Sequence, residues 1–495
     1  MSFILSPFHA HRIVWVVVFL VALTVADGAA HQHRFIIEDS DGIPAEVYAQ
    51  RRQRLIDSLP DNSFAIILAA DVRNRQNDVD YEYRQNSNLL YLTGFPFPNC
   101  ALLLSKNPFF AGGLETRELF FVRPRNPQRE LWSGITAGAA EAATHYGLQF
   151  TAPYSQLTTV LATLLGEETS TVAGNQHNHD RIAVELRSSP RPDSLYVDGW
   201  PTSVVGLPLL DSAVFPGIAT IQMLHDRFGY LPVKTRIPAL AAMREVKDTA
   251  ELRLMRKAVG ITIAGHEAVI RNATARMAEY ELEALMEYTF KKMGAEDVGY
   301  PSIVGSSYNA CVLHYTANRR TTLTGDLVLA DCGAEYHGYT ADITRTFPIN
   351  GRFTPEQRAI YNIVLEAQDS GIAACMNGAP FKAPHNAAVR VITKGLKKLG
   401  IITTDDQVKQ YFMHGTSHYL GLDVHDAGTG GPLKVNSIIT VEPGIYIPEG
   451  ADCDPKWWNI GVRIEDDILI TEHGPENMSA ALTRTADGIE RLMMK

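Results

Sequence analysis

Four acidic residues stand inside apolar stretches that are typical of β-strands. These are Asp331 after LVLA, Asp342 in YTADITRTF, Glu442 in IITVEPGI and Glu465 in VRIEDDILI. Strand interiors disfavour Asp and Glu, and a buried carboxylate without a partner is costly in free energy. We therefore expect the four acids to be paired, protonated or bound to metal, unless they lie on the exposed edges of amphipathic strands.

The spacing of these acids favours a metal site. Asp331 and Asp342 flank the short turn GAEYHG and can face each other on a hairpin, while Glu442 and Glu465 lie on two further strands. Four acids on one sheet face repel one another, and two divalent ions would balance their charge. Arg463 is the obvious local cation, and it can pair with only one of them. Oxygen ligands favour Mn²⁺ or Mg²⁺, and one added imidazole shifts the preference towards Mn, Co or Zn.

Imidazole groups are available near these acids. Of the 16 His residues in the chain, three lie in the single stretch HGTSHYLGLDVHD. They are His414, His418 and His425, and a fourth candidate is His314 in CVLHYTAN. A single His is more often a satisfied surface or core residue than a ligand. Their density beside the acidic strands makes these four candidates for metal binding or catalysis.

The elements that must position these groups follow from hydrophobic patterning. The stretch 45–59 is amphipathic and predicts a helix, and three apolar runs after it predict buried strands. The runs are SFAIILAA (63–70), ALLLS (101–105) and ELFFVRP (118–124). Helices alternate with strands up to about residue 225, which indicates an α/β N-terminal domain. The proline-containing segment 230–243 is typical of a linker.

After the linker, helices precede a group of strands. Asp248 and Glu251 form the start of a capping box, which predicts a long helix from Asp248 onwards. The late strands are predicted at 325–333, 339–348, 437–447 and 461–471. The whole pattern is that of an α/β (α+β) protein.

Composition excludes several classes of protein. The chain has 495 residues, of which 45% are hydrophobic and 20% charged, as in folded globular proteins. Its formal charge of −10 gives no general reason to bind nucleic acid, and we expect no nucleic-acid partner. The 5 Cys residues show no CxxC spacing, so a thiolate zinc site or a disulfide framework is not expected.

The N-terminus predicts an export signal. The apolar run IVWVVVFLVALTVA (13–26) has the length of a signal-peptide core and is followed by small residues. It is shorter than the roughly 20 residues of a spanning helix. We expect a signal segment at 1–30 and an exported protein, secreted or periplasmic. An uncleaved membrane anchor and a short buried helix are the alternatives.

At these residues the sequence resembles the pita-bread metallopeptidases, the family of methionine aminopeptidase, prolidase and aminopeptidase P. The resemblance covers about residues 40–490 and is strongest to aminopeptidase P. The stretches that carry it are YRQNSNLLYLTGF (83–95), CVLHYTANRR (311–320), GDLVLADCGAEYHGYTADITRTFPINGRFTPEQRAIY (325–361), FMHGTSHYLGLDVHDAG (412–428), TVEPGIYI (440–447) and GVRIEDDILIT (461–471). It implies an N-terminal aminopeptidase P-type domain at 35–230 and a pita-bread catalytic domain at 238–495.

The resemblance implies five metal ligands for two divalent ions, most readily Mn²⁺, with Co²⁺ or Zn²⁺ as alternatives. They are Asp331, Asp342, His418, Glu442 and Glu465. Asp342 and Glu465 would bridge the ions, Asp331 would hold one ion, and His418 with Glu442 would hold the other. Glu442 would also act in catalysis, by moving a proton.

Further residues match the surroundings of the site in these enzymes. His314, His414 and His425 match histidines that contact substrate or support the ligands, and Arg463 with Tyr446 matches residues that orient a ligand carboxylate. Asp78 matches an acid that holds the substrate's free amine, and Trp132 an aromatic residue near the site that can reach a neighbouring subunit. Asn88 departs from the Asp that is usual after QNS, which puts a peripheral contact in doubt.

The implied reaction is metal-dependent hydrolysis of the bond between an N-terminal residue and a penultimate proline, in proline-containing peptides. Because proline makes this bond a tertiary amide without N–H, general peptidases handle it poorly. A prolidase restricted to Xaa-Pro dipeptides would share the same ligands and is the main alternative. A non-catalytic peptide-binding module is a remote one. Relatives of this type are dimers or tetramers, so a homo-oligomer is expected.

Overall fold

A computed structural model describes residues 41–111, 114–164, 171–174, 182–185, 193–198, 232–234 and 237–494. The predicted signal segment at 1–30 lies outside these ranges, and the predicted linker 230–243 is described only in part. Within the described ranges, we find no helix that is both long enough and apolar enough to cross a membrane.

The first part of the chain is a mixed sheet with helices around it. Its helices are α1 (Ala45–Ser58), α2 (Ser87–Thr93), α3 (Pro127–Ser133), α4 (Ala139–Tyr146) and α5 (Leu157–Leu164). Its strands are β1 (Ser63–Leu68), β2 (Asn74–Gln76), β3 (Val79–Asp80), β4 (Ala101–Ala111), β5 (Leu114–Val122), β6 (Thr151–Pro153), β7 (Thr171–Gly174), β8 (Ile182–Glu185), β9 (Ser194–Asp198) and β10 (Val233–Lys234). Six of these strands form one sheet in the order β10-β9-β1-β4-β5-β6. The predicted helix and the three predicted strands are confirmed.

Strand β1 shows why this sheet forms. All its residues are buried, and their side chains alternate between two cores as the pleat of a strand requires. Ala65 and Ile67 join the main core, which also contains residues of the second part of the chain, whereas Phe64, Ile66 and Leu68 join a smaller core against α5. A strand covered on both faces has no polar side, which explains its continuous apolar sequence.

The second part of the chain contains longer helices and several small antiparallel sheets. The helices are α6 (Pro238–Glu245), α7 (Thr249–Asn272), α8 (Glu279–Lys292), α9 (Pro355–Ala373), α10 (Ala383–Lys398) and α11 (Ala486–Met493). The strands are β11 (Asp297–Val298), β12 (Ile303–Ser306), β13 (Leu327–Cys332), β14 (Ala334–Tyr336), β15 (Tyr339–Thr340), β16 (Ile343–Pro348), β17 (Ile438–Val441), β18 (Gly444–Ile447), β19 (Ile460–Arg463), β20 (Asp466–Thr471) and β21 (Gly474–Asn477). Helix α7 packs on β14 and β15, and α9 packs on β19. The predicted α/β class is confirmed.

The start of α7 also joins the two parts of the chain. Asp248 Oδ1 accepts from the Glu251 N–H at 2.9 Å, and Glu251 Oε2 accepts from the Asp248 N–H at 3.0 Å, which confirms the capping box. The buried Arg51 of α1 donates to Asp248 Oδ2 at 2.7 Å. A helix cap and an interdomain ion pair thus share one carboxylate.

Three late strands that the sequence predicts as continuous are interrupted in the structure. The predicted strand 339–348 divides into β15 and β16, 437–447 into β17 and β18, and 461–471 into β19 and β20. At each break the chain leaves one small sheet and enters another. The two halves of each predicted strand, β15 and β16, β17 and β18, and β19 and β20, belong to different sheets. Continuous strands were therefore the wrong prediction here, although the apolar pattern runs through each break.

Candidate metal centre and active site

The strand breaks position three of the four acids that the sequence singles out. Asp342 lies between β15 and β16, Glu442 between β17 and β18, and Glu465 between β19 and β20. Asp331 lies inside β13, where it pairs with Thr344 rather than with Asp342. The predicted facing pair on one hairpin is therefore offset by two residues. The acids converge because several sheets meet at their breaks, not because they share one sheet face.

At each break, the backbone N–H of the acid donates a hydrogen bond outside its own strand. The Asp342 N–H donates to Asp467 Oδ2 at 3.2 Å. The N–H of Glu442 donates to the Thr416 carbonyl at 3.0 Å, and that of Glu465 to the Thr344 carbonyl at 3.1 Å. Backbone groups that leave a sheet ladder must find other partners when they are buried. Here those partners belong to the loops and strands that surround the acids.

His418 completes the cluster with the acids. One ligand atom from each of Asp342, His418 and Glu465 lies within 4.8 Å of the others. His418 Nε2 is 3.4 Å from Asp342 Oδ2 and 3.6 Å from Glu442 Oε1. Its Nδ1 lies 3.0 Å from the Tyr419 carbonyl, which can only accept. The proton therefore belongs on Nδ1, which leaves the Nε2 lone pair directed at the acids.

Tyr300 is a site residue that sequence reasoning missed. Its hydroxyl lies 2.7 Å from Asp331 Oδ1 and 2.6 Å from Asp342 Oδ1. One hydroxyl proton can serve one carboxylate at a time, so this cluster contains more acceptors than donors. Tyr300 stands in VGYPSIVG, a stretch without a recognisable motif, and its only signal is its place just before β12.

Burial and mutual repulsion disfavour the charged forms of these acids. Burial, followed by the charge of Glu465, raises the pKa of Glu442 to about 8. Burial and neighbouring acids also hold the pKa values of Asp342 and Glu465 well above their ordinary range. Burial acts on Asp331 in the same direction, but Arg463 and the hydrogen bond from Tyr300 together outweigh it, so the pKa of Asp331 is lowered.

These groups fit a divalent metal centre. Among the residues that the structure describes, Arg463 is the one Arg or Lys that is ion-paired to any of the four acids, through Asp331 at 2.5 Å. Asp467, whose pKa is also raised by burial, keeps Oδ1 buried without a hydrogen-bond partner. Four carboxylates with one guanidinium and one directed imidazole are an oxygen-rich donor set with excess negative charge. Such a set suits hard or intermediate divalent ions.

A chain of hydrogen bonds leads from His414 to Asp331. His414 Nδ1 lies 2.6 Å from the Gly415 carbonyl, so its Nε2 accepts from the Tyr446 hydroxyl at 2.8 Å. The same hydroxyl accepts from Arg463 Nη1 at 2.9 Å, and Arg463 Nη2 donates to Asp331 Oδ2. Burial and the charge of Arg463 lower the pKa of His414 to about 4, so this imidazole is neutral at pH 7. These hydrogen bonds orient Asp331 through Arg463 and Tyr446.

His425 and His314 lie on loops beside this cluster. The rings of His418 and His425 are 4.3 Å apart. Burial lowers the pKa of His425, and His418 and His314 act in the same direction. His314 is exposed, on the loop that follows the short 3-10 helix Ser307–Cys311. His425 thus lies beside His418, and His314 is the solvent-exposed histidine whose charge acts on His425.

Asp78 and Trp132, the remaining predicted residues of the first part of the chain, lie on exposed elements. Asp78 lies in the exposed turn between β2 and β3. Trp132 lies on α3, and 92% of it is exposed. Tyr446, in contrast, has no exposed surface. Substrate contacts by Asp78, Trp132 and Tyr446 stay predictions.

Known proteins resemble the chain along most of its length. Residues 253–472 match the model of metallopeptidase family M24, and residues 48–173 match the model of the aminopeptidase P N-terminal domain. The Xaa-Pro aminopeptidase of Haemophilus influenzae is 35% identical over 463 residues, covering 91% of this chain and 98% of the relative. The Xaa-Pro aminopeptidase of Escherichia coli is 34% identical over 470 residues, with the same shares covered.

Solved structures resemble the fold as well. Pseudomonas aeruginosa aminopeptidase PepP matches with a TM-score of 0.77 and 36% identity, covering 91% of this chain and 98% of that one. Escherichia coli aminopeptidase P in complex with substrate matches with a TM-score of 0.77 and 33% identity over the same shares. A zinc-substituted form of that enzyme, in complex with product, has a TM-score of 0.76.

Proposed function

Because the chain belongs to the aminopeptidase P group of metallopeptidase family M24, with a pita-bread catalytic domain, we propose that it hydrolyses N-terminal Xaa-Pro bonds in peptides. The observation that carries this proposal is the convergence of Asp342, His418 and Glu465 within 4.8 Å, in a cluster with excess carboxylates. The match of residues 48–173 to the aminopeptidase P N-terminal domain favours this activity over that of a dipeptidase.

We propose Asp331, Asp342, His418, Glu442 and Glu465 as the ligands of two divalent ions. When bound, such ions supply positive charge that polarises the scissile carbonyl and makes water acidic enough to attack near neutral pH. Among divalent ions, Mn²⁺ suits this set of four carboxylates and one imidazole best, with Co²⁺ or Zn²⁺ as alternatives. The imidazole orientation of His418 supports its part in the set.

Other steps of the proposed reaction depend on side chains of the protein itself. Glu442 lies 3.6 Å from both His418 and His414 and keeps 18% of its side chain exposed, so it can move a proton from the attacking water to the proline nitrogen. His314 and His425 would donate hydrogen bonds to the oxyanion that develops on the carbonyl. Tyr446 and Arg463 hold Asp331 in position.

We also propose that the chain is exported and works as a homo-oligomer, a dimer or tetramer. The apolar run at 13–26 supports export, and it lies outside the described residues. Leu131 and Trp132, exposed at 85% and 92%, leave an apolar surface on α3 that a second copy can cover. Light scattering of the purified protein would measure the oligomeric state.

The test of the proposed function is a peptide panel with metal analysis. We expect the wild-type protein to cleave Xaa-Pro-Xaa peptides after the first residue and to lose activity on chelation and regain it with Mn²⁺. His418→Ala should lose bound metal and nearly all turnover, because His418 is the one imidazole within the described ranges that lies beside both Asp342 and Glu442. His473→Ala, at an exposed His on the turn after β20, is the matched control and should behave as wild type.

Two results would contradict this function. Cleavage of Xaa-Pro dipeptides alone would make the enzyme a prolidase. Full activity and full metal content in His418→Ala would overturn the ligand assignment.

A further inference from the structure

The loop 420–426 carries His425, and its anchors lie in other parts of the chain. Two acids bracket this histidine, Asp423 two residues before it and Asp426 directly after it. Both acids accept from the same guanidinium nitrogen: Arg244 Nη2 donates to Asp423 Oδ2 at 2.7 Å and also to Asp426 Oδ1. Arg244 lies on α6, outside the loop, and only 4% of its side chain is exposed. One buried cation thus holds both sides of the turn that presents His425.

The N-terminal domain supplies the second anchor. The hydroxyl of Ser87, the first residue of α2, donates to Asp423 Oδ1 at 2.6 Å. The next residue, Asn88, accepts from Arg244 Nη1 at 2.8 Å through its Oδ1. The QNSN stretch therefore contacts the loop acid and the cation that holds it. These contacts give that stretch a specific physical task in the catalytic domain.

Arg84 adds a third anchor to the loop backbone. Its Nη2 donates to the carbonyl of Leu422, and to that of Gly338 at 3.3 Å. Its Nε donates to Glu335 Oε2 at 2.7 Å. Arg84 thereby fixes the loop relative to the hairpin β14–β15, which ends just before Asp342. The same side chain serves the histidine loop and the strand that leads to a proposed metal ligand.

The loop is also packed closely enough to transmit a displacement. A Cβ added at Gly421 would lie 2.2 Å from Asp426 Oδ2 and 3.2 Å from the Cε of Lys247. Lys247 donates to Asp426 Oδ2 at 2.9 Å and is itself buried. The acid therefore has no space to move towards Gly421. Loss of an anchor on the Asp423 side would shift the turn that bears His425.

We propose that Ser87, Arg244 and Asp423 form an interdomain clamp that positions His425 for catalysis. The inference rests on the proposed function, since it assigns His425 to transition-state stabilisation. Ser87, Arg244 and Asp423 touch neither the acids of the metal cluster nor, on this proposal, the substrate. They act through the position of one imidazole, and an error of about 1 Å in such a position can cost 100-fold in rate.

The test compares Asp423→Asn and Ser87→Ala with Asp487→Asn as the control. Asp487 pairs with Arg358 at 2.6 Å on the surface, so the control also removes an acid from an ion pair. We expect kcat to fall about 10- to 100-fold in Asp423→Asn and by a smaller factor in Ser87→Ala, with a smaller change in KM and full metal content. Asp487→Asn should keep the wild-type kcat.

A double-mutant comparison separates positioning from general damage. If Asp423 acts through His425, then adding Asp423→Asn to His425→Ala should lower kcat by less than about twofold. Losses that multiply in full would overturn the clamp, as would a wild-type kcat in Asp423→Asn. Should Asp423→Asn fail to fold, the same comparison is made with Ser87→Ala, added to the wild-type protein and to His425→Ala.

A spectroscopic measurement keeps this inference distinct from the proposed function. The imidazole NMR signal of His425, assigned from its absence in His425→Ala, should shift in Ser87→Ala and stay in place in Asp487→Asn. If the wild-type protein cleaves no Xaa-Pro bond, the proposed function fails while this signal still tests the clamp. An unshifted His425 signal in Ser87→Ala would overturn the clamp even in an active enzyme.

Discussion

The hydroxyl of Tyr446 joins two groups that have different tasks. It donates to His414 Nε2 and accepts from Arg463 Nη1, and Arg463 in turn holds Asp331. The ring itself packs against Ile303 and Leu329 in a small buried cluster. Removal of the oxygen alone would therefore break the hydrogen-bond chain without opening a large cavity.

We predict that Tyr446→Phe lowers kcat about 10- to 100-fold, as is typical when an outer-shell partner of a metal ligand is lost. The buried Arg463 would lose an acceptor, so the free energy of unfolding should also fall by about 1–3 kcal/mol. Steady-state kinetics and urea unfolding measure the two effects. Tyr361→Phe is the matched control, because its buried hydroxyl donates at 2.7 Å to the Arg484 carbonyl and not to a site residue. Tyr361→Phe should lose stability and keep the wild-type kcat. A wild-type kcat in Tyr446→Phe would refute the proposed role of the hydrogen bonds that connect His414 to Asp331.

The elements show where sequence reasoning succeeds and where it stops. Local signals predicted α7 from its capping box and β1 from its continuous apolar run, because both depend on neighbouring residues. The break at Asp342 was not predictable, since it depends on which sheet each half of YTADITRTFP joins. Tyr300 escaped notice for the same reason, because its partner Asp331 is 31 residues away in the chain.

The site residues were predicted from family motifs, which carry no distances. The motifs singled out Asn88 as a departure from the usual Asp, with a contact of unknown kind. The structure gives the contact: Asn88 Nδ2 donates to Asp198 Oδ2 at 2.6 Å, while its Oδ1 accepts from Arg244. Asn88 thus links α2, β9 and α6, and only a side chain with both a donor and an acceptor can do so.

We predict that Asn88→Asp destabilises the protein, although the family motif leads us to expect Asp at this position. It would replace the donor to Asp198 by a carboxylate oxygen at hydrogen-bond distance, at a cost of about 1–3 kcal/mol. Arg244, already paired with Asp423 and Asp426, gains little in compensation. The companion change Asp198→Asn should restore stability, because its amide can donate to the carboxylate that the first change introduces. Thermal unfolding of the two single variants and the double variant checks this; a double variant no more stable than Asn88→Asp would contradict it.

The two parts of the molecule share one main core, so a local change at the metal site reaches the whole fold. That core contains Leu55 and Phe95 of the first part together with Leu254 and Ile360 of the second. Ion pairs from the buried Arg51 to Asp248 and Glu251 cross the same boundary. We therefore expect metal loss to appear as a change in global unfolding rather than as local disorder alone.

The pH dependence of the metal-free protein follows from the raised pKa values of its buried acids. An unfolded Glu titrates near 4.3, whereas the pKa of Glu442 in the fold is about 8. Between these values Glu442 binds more protons in the fold than in the unfolded chain, so its contribution to stability falls as pH rises. Burial lowers the pKa of His414 to about 4, so this histidine acts in the opposite direction, but only up to about pH 6.5, where an unfolded His loses its proton. Bound divalent ions require the deprotonated acids and stabilise the fold more as pH rises.

We predict that the melting temperature of chelated protein falls from pH 7 to pH 8 while the gap to Mn²⁺-loaded protein widens. Glu442→Gln should weaken the pH dependence of the chelated form, because one raised acid is gone. Glu476→Gln, on a half-exposed acid paired with Arg256, should leave that dependence unchanged. Differential scanning fluorimetry with and without chelator measures all three proteins. A chelated wild-type protein whose melting temperature stays level or rises over this range would mean that the acids are paired in some other way, and would remove the electrostatic reason for the metal.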